Sequence, residues 1–218
     1  WELVREVTGK CLRDLQHEWV CEPLGFTYMN YGLAAEHRAI AAPDVYTGPP
    51  AFYPLTRLVK RSIGMAVKDV VTATNDPRFL DAVVPSANVF ATANEACRYF
   101  ELLRCGGRLN GRHIFNAATI EQAVSKAAFT ELDSVIKLPI QYGLGFMLGN
   151  PLLSLFGPRT AGAFGHLGYT NVLVWADPRR ELSVAFLNSG KPFITPELLV
   201  WLNIPRTICA QIPYPSAF

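Results

Sequence analysis

Residues 172–176 and 182–187 are two short apolar runs held apart by Asp177-Pro178-Arg179-Arg180. This stretch restricts the fold more than any other. Runs of five and six residues are short for a buried helix, and they are rich in Val, Leu, Trp and Phe, which suit a pleated surface. Pro at the second place of a four-residue polar connection presets a type I turn. The stretch therefore reads as an antiparallel hairpin. Its runs do not alternate apolar with polar residues, so both faces need cover, as in a sheet packed by helices. A buried helix is the competing reading of each run, and the flanking Gly, Pro and Asp argue against it.

Just upstream, Gly165-His166-Leu167-Gly168-Tyr169 sets a histidine between glycines at a strand edge. Missing side chains there let another group approach the backbone closely. Taken alone, His166 reads most simply as a hydrogen-bonded structural histidine beside a bulge. The rest of the chain changes that balance.

Half of the 218 residues are hydrophobic and 17% are charged, so the chain is globular and can bury a core as one domain or two small ones. With 20 basic and 18 acidic residues and no basic tract beyond isolated pairs, no nucleic-acid footprint is present. Five cysteines (Cys11, Cys21, Cys97, Cys105, Cys209) form an odd set without Cys-x-x-Cys, and the four histidines are scattered. That pattern calls for no metal and no cofactor, suits small core residues such as Cys97, and favours a reduced compartment. The chain opens on Trp1-Glu2-Leu3 without a basic-then-apolar leader, which reads as a truncated or processed start. Residues 138–158 carry no charge, but three prolines and four glycines there would leave backbone groups unsatisfied in lipid, so no transmembrane segment is expected.

In order, residues 1–24 read as an amphipathic packing helix broken at Gly9 and stopped by Glu22-Pro23-Leu24-Gly25. Residues 26–54 are irregular. Residues 55–71 predict a helix with Leu55, Leu58, Val59 and Ile63 on one face. Thr74-Asn75-Asp76-Pro77 predicts a turn or a helix start, with Pro77 suited to the first helical position. Thr92 with Glu95 predicts a capping box on a helix over 93–105, stopped by Gly106-Gly107. Asn110-Gly111 predicts a tight turn, and Asn116 or Thr119 a cap for a helix to about residue 127. Residues 138–148, containing Tyr142-Gly143-Leu144-Gly145-Phe146, read as a glycine-punctuated strand, and residues 196–209 as a last amphipathic helix. Helices first and strands clustered late give an α+β fold, an antiparallel sheet flanked by helices. Residues 1–130 form its mainly helical region, and residues 131–218 its strands and C-terminal helix.

This order of elements resembles the C-terminal part of the serine β-lactamase-like superfamily, which takes in class C-type β-lactamases, penicillin-binding peptidases and related esterases. Thr8-Gly9-Lys10 with Pro23-Leu24-Gly25, then Ala91-Thr92-Ala93, then Tyr142-Gly143-Leu144-Gly145-Phe146, each resembles a family stretch in the right order. Phe164-Gly165-His166-Leu167-Gly168 is similar to the third catalytic motif, Lys-Thr-Gly in many β-lactamases and His-x-Gly in many esterase-like members.

The resemblance implies acyl transfer, which needs a nucleophilic serine, a base and oxyanion donors. His166 would stand where the motif's lysine stands and would orient substrate or tune proton transfer near neutral pH. Tyr169 would offer its backbone N–H to the oxyanion, and Leu167 and Gly168 would line the substrate. The family's Ser-x-x-Lys and Tyr-x-Asn are not matched in order. Ser134-Val135-Ile136-Lys137 comes too late and runs into Pro139, which disfavours helix just before it. Tyr28-Met29-Asn30 follows the opening helices where the family's motif precedes them. The resemblance therefore implies a partial domain, incomplete at its N-terminus and inactive by itself. The parent would be an esterase acting on a small ester or amide. A D-Ala-D-Ala peptidase or β-lactamase relative, and a non-catalytic binding module, remain alternatives.

Overall fold

A computed structural model describes residues 1–49, 53, 57, 60–61, 64–126, 131–132, 139–168, 172–192 and 197–214. Helix α1 (Glu2–Thr8) ends at Gly9, whose φ of 68° lies in the left-handed region. Helix α2 (Leu12–Gln16), a π-turn (His17–Cys21) and the short α3 (Glu22–Leu24) then run on to Gly25. The break and the stop fall where the sequence puts them; the π-turn leaves no mark in it. Pro23 has no N–H to give the carbonyl of Trp19, and the widened turn lies on that stretch. Leu15, Val20 and Cys21 are buried, so α2 and the π-turn meet the packing expectation. Helix α1 does not: none of its residues is buried, and Leu3 and Val7 face outward.

Strand β1 (Asn30–Tyr31) pairs with β2 (Val89–Phe90). Between them lie α4 (Val67–Thr74) and α5 (Pro77–Asp81). Asp76 caps α5, its Oδ1 accepting Arg78 N–H at 2.8 Å, with Pro77 in the first turn as predicted. Within the helix expected over 55–71, the described residues Arg57, Lys60 and Arg61 are helical and α4 takes up the end; the apolar face of Leu55, Leu58, Val59 and Ile63 lies outside the described residues.

Helix α6 (Ala93–Arg104) begins at Thr92, whose hydroxyl accepts Glu95 N–H at 3.2 Å. The reciprocal half of the capping box is replaced. Glu95 is buried, and its Oε1 accepts the N–H groups of Thr27 (2.6 Å) and Tyr28 (2.9 Å), tying the loop after α3 to α6. Strands β3 (Arg108–Leu109) and β4 (Arg112–His113) close over Asn110 and Gly111, both at positive φ. Helix α7 (Ala117–Val124) is capped by Asn116, whose Oδ1 accepts Ala118 N–H.

Six antiparallel strands then form the main sheet among the described residues: β5 (Glu131–Leu132), β6 (Pro139–Tyr142), β7 (Met147–Leu148), β8 (Phe164–Gly168), β9 (Val172–Asp177) and β10 (Leu182–Phe186), in the order β10-β9-β8-β7-β6-β5. The stretch 143–146, expected to continue as strand, is instead the turn between β6 and β7. Gly143 N–H donates to Phe146 O at 2.9 Å, and a Cβ on Gly143 would sit 2.4 Å from Ala123 O at the end of α7. The chain bends there because α7 crosses closely.

The expected β9–β10 hairpin forms, with Leu182 opposite Asp177. Its turn donates Arg180 N–H to Asp177 O, and Glu181 follows at positive φ. One sheet face packs Phe164 and Ala176 against Phe100 and Leu103 of α6 and Ile120 of α7. The other packs Leu173, Trp175 and Met147 against Phe156 and Trp201, the latter from α8 (Glu197–Gln211). The β9 run lacks alternation because helices lie on both sides of it. Among the described residues no helix is long and apolar enough to cross a membrane.

Candidate functional site

Strand β8 fixes the side on which each residue of Gly165-His166-Leu167-Gly168 acts. Residues directly opposite in an antiparallel pair share a face. His166 lies opposite Val174, and Gly168 opposite Val172, so these four share the α6 side of the sheet. Gly165 and Leu167 belong to the α8 side, opposite Trp175 and Leu173. Leu167 packs into that core, so its side chain does not join His166; only its backbone is within reach of the same site.

Gly165 has a structural reason for its missing side chain. A Cβ there would lie 2.5 Å from Trp175 Cβ and 2.2 Å from Val174 O. The glycine lets β9 close on β8 and lets the buried Trp175 fill the core beneath the histidine. At Gly168 the nearest group is Val172 Cβ at 3.1 Å, a tighter fit than ordinary contact.

His166 is exposed, and its Nδ1 lies 2.7 Å from Leu167 O. A carbonyl only accepts, so the Nδ1 proton donates to it. That contact orients the ring and leaves Nε2 as the nitrogen available to another group.

Beside this strand, on the same side of the sheet, an open groove of about 1290 Å³ runs between the π-turn, α6 and β9. Val172 and Val174 form part of its floor, and Ala96, Tyr99 and Phe100 of α6 one wall. Tyr28, from the loop after α3, and Tyr31 of β1 also line it. Burial pushes the Tyr99 phenol up to about 12, with Tyr31 adding to the rise, and burial raises Tyr31 as well. Both phenols are therefore neutral hydrogen-bonding groups at physiological pH. Tyr28 of Tyr28-Met29-Asn30 lines the groove with its ring 4.8 Å from that of His37, and its backbone N–H is held by Glu95.

Tyr169 and Ser134-Val135-Ile136-Lys137 lie outside the described residues. Among the described residues no serine hydroxyl is hydrogen-bonded to a lysine or histidine; Ser183 Oγ donates to Glu101 and Ser125 Oγ to Gln122 O. Burial raises Cys21 to about 11, with the Glu95 charge adding to it, and raises Cys97 and Cys209, so these thiols are poor nucleophiles. The groove itself is absent from the sequence reading. Ala96, Tyr99 and Phe100 are legible there as the apolar stripe of α6, but nothing in that stripe tells that part of it borders open space.

The Beta-lactamase family model matches residues 2–204. Esterase/beta-lactamase LipL of Mycobacterium tuberculosis (strain ATCC 25618 / H37Rv) is 26% identical over 195 residues, covering 84% of this chain and 44% of LipL. The crystal structure of a penicillin-binding protein homologue from Caulobacter crescentus aligns with a TM-score of 0.72 and 27% identity, over 96% of this chain and 55% of that one. A family VIII carboxylesterase, 24% identical, shares the fold with a TM-score of 0.74 over 95% of this chain and 55% of its own. The chain thus spans about half the length of these relatives. The family match takes in the opening helices, α6 and the strand that carries His166, and on it the chain belongs to the Beta-lactamase family.

Proposed function

We propose that this chain is the sheet-bearing part of a serine hydrolase that cleaves small esters through an acyl-enzyme, with His166 on the substrate wall. The observation that carries the reading is the placement of His166: exposed on β8, oriented by Leu167 O, with Nε2 available and the groove beside it. Relatives named as esterase/beta-lactamase and carboxylesterase support the same chemistry.

On this reading a serine Oγ, supplied with its Ser-x-x-Lys lysine and the Tyr-x-Asn tyrosine from outside this chain, attacks the ester carbonyl. The alcohol leaves with a proton, and water then hydrolyses the acyl-enzyme. The Tyr169 backbone N–H would stabilise the tetrahedral oxyanion, and Gly168 would let substrate lie against the strand. His166 Nε2 would bind substrate oxygen or pass a proton. An esterase is preferred to an antibiotic-hydrolysing enzyme because His166 stands in place of the lysine that would pair with a β-lactam carboxylate.

The test is acylation by a short-chain p-nitrophenyl ester in the protein that carries both the serine motif and these residues. His166→Ala should lower the acylation rate constant at least tenfold with an unchanged near-ultraviolet circular dichroism spectrum. An unchanged rate constant would remove His166 from the site. A fluorophosphonate adduct on Ser134 of the 218-residue chain would overturn the assignment of the nucleophile to residues outside it.

A further inference from the structure

A second, smaller cavity lies on the α8 side of the sheet and shares no lining residue with the groove. It encloses about 140 Å³ between β6, β7, residues 150–156 and α8. Ile140, Met147, Leu153, Leu155, Phe156 and Leu202 give it apolar walls. A cavity of about 150 Å³ with walls of this kind takes up benzene. Three polar side chains on its border have protons to give. Asn150 Oδ1 accepts Leu152 N–H at 2.9 Å, which leaves the Nδ2 protons without an acceptor among the described residues. Ser154 Oγ accepts Phe156 N–H at 3.1 Å, and its own proton is left over in the same way. Arg206 is exposed, and its guanidinium makes one long contact, Nη1 to Asn203 Oδ1 at 3.5 Å. No Asp or Glu is among the described residues that line the cavity.

We infer that this cavity is a binding site for a small monocarboxylate with an apolar body of about six carbons, the size of benzoate. Uncharged donors alone would suit a carbonyl or an alcohol. The guanidinium decides for an anion, because it meets a carboxylate through two parallel N–H···O bonds. The walls decide for an apolar body: phosphate or sulfate would find the same donors but gain nothing from burial against Ile140 and Leu202. An aromatic ring also suits Met147 and Phe156, through sulfur–ring and ring–ring contact. Binding here needs no nucleophile. One consequence rests on the esterase reading above: carboxylic acids of this size are what hydrolysis of a small ester releases, so the cavity would hold product on the side of the sheet opposite His166.

The test is titration of benzoate into the 218-residue chain with isotope-labelled methionine methyl groups. The chain has three methionines. Met147 lines this cavity and Met29 lines the groove, so their signals tell the two sites apart. A saturating shift at Met147 is expected, with Met29 unmoved. Benzyl alcohol, of the same size without the charge, should bind at least tenfold more weakly. Arg206→Gln should weaken benzoate at least tenfold and leave benzyl alcohol unchanged; Arg108→Gln, at an exposed arginine of β3, should change neither. Leu202→Trp, which fills the cavity, should abolish the Met147 response to both. Near-ultraviolet circular dichroism confirms the fold of each variant, and the surface change at Arg206 carries the test should the filled cavity not fold. No shift at Met147 in folded chain, benzyl alcohol bound as tightly as benzoate, indifference to Arg206→Gln, or a shift confined to Met29 would each overturn the inference. Benzoate bound at Met147 in a protein that hydrolyses no ester would leave the site standing and remove only its link to product.

Discussion

Arg180 holds three parts of the chain at once. Its Nε donates to Ile212 O beyond α8, its Nη1 to Arg159 O and to Asp177 Oδ2 at 2.6 Å, and its Nη2 to Pro158 O. Both charged side chains are almost fully buried. Asp177 Oδ1 meanwhile accepts the N–H groups of Arg179 and Arg180, so the same carboxylate shapes the hairpin turn. Removing one partner of a buried pair strands the other charge, so Arg180→Ala should cost about 3–5 kcal/mol, read as a lower urea midpoint. Glu101 offers a pH-dependent case. Hydrogen bonds from Arg104, with a further one from the Ser183 hydroxyl, hold its carboxyl at about 2 against an ordinary 4.5. A pKa lowered by folding adds stability that is fully present above 4.5 and is lost as pH falls towards 2. Glu101→Gln should therefore lower stability at neutral pH by on the order of 1 kcal/mol given the partial exposure, read as a lower melting temperature. The gap from the parent should narrow between pH 4.5 and 2; a gap independent of pH would refute the assignment.

Caps and turns at the level of elements were legible because their chemistry is local. Thr92, Asp76, Asn116 and Asn110-Gly111 each act on backbone groups within three residues, and each stands where a reading of neighbours puts it. Thr92→Ala should cost about 1 kcal/mol through loss of the α6 cap, seen as a lower denaturant midpoint at unchanged m-value. Glu95 marks the limit of that reading. Its spacing from Thr92 spells a capping box, yet its carboxylate serves Thr27 and Tyr28, nearly seventy residues away in sequence. The turn at 143–146 fails as a strand for the same kind of reason. Its alternation is strand-like, but the carbonyl of Ala123 lies where a Cβ on Gly143 would fall and accepts Leu144 N–H at 2.8 Å.

At the scale of the whole molecule, the open groove should show itself directly. The folded chain is expected to bind anilinonaphthalene sulfonate with enhanced fluorescence, and Leu187→Lys should reduce that signal while leaving the near-ultraviolet spectrum unchanged. The sequence alone determined the hairpin and its turn, the antiparallel α+β character and the strand that bears His166. Those follow from runs of a few residues, turn chemistry and side-chain period, all of which act along the chain. Which side of the sheet each residue serves was decided by tertiary pairing. His166 takes the α6 side of the sheet and Leu167 the α8 core because β9 sets Val174 and Leu173 opposite them, and Gly165 is required by the bulk of Trp175 on that neighbouring strand. The open groove is tertiary in the same sense. An apolar stripe on α6 records only that its residues leave water, and it takes the packed structure to tell which of them find a partner within this chain.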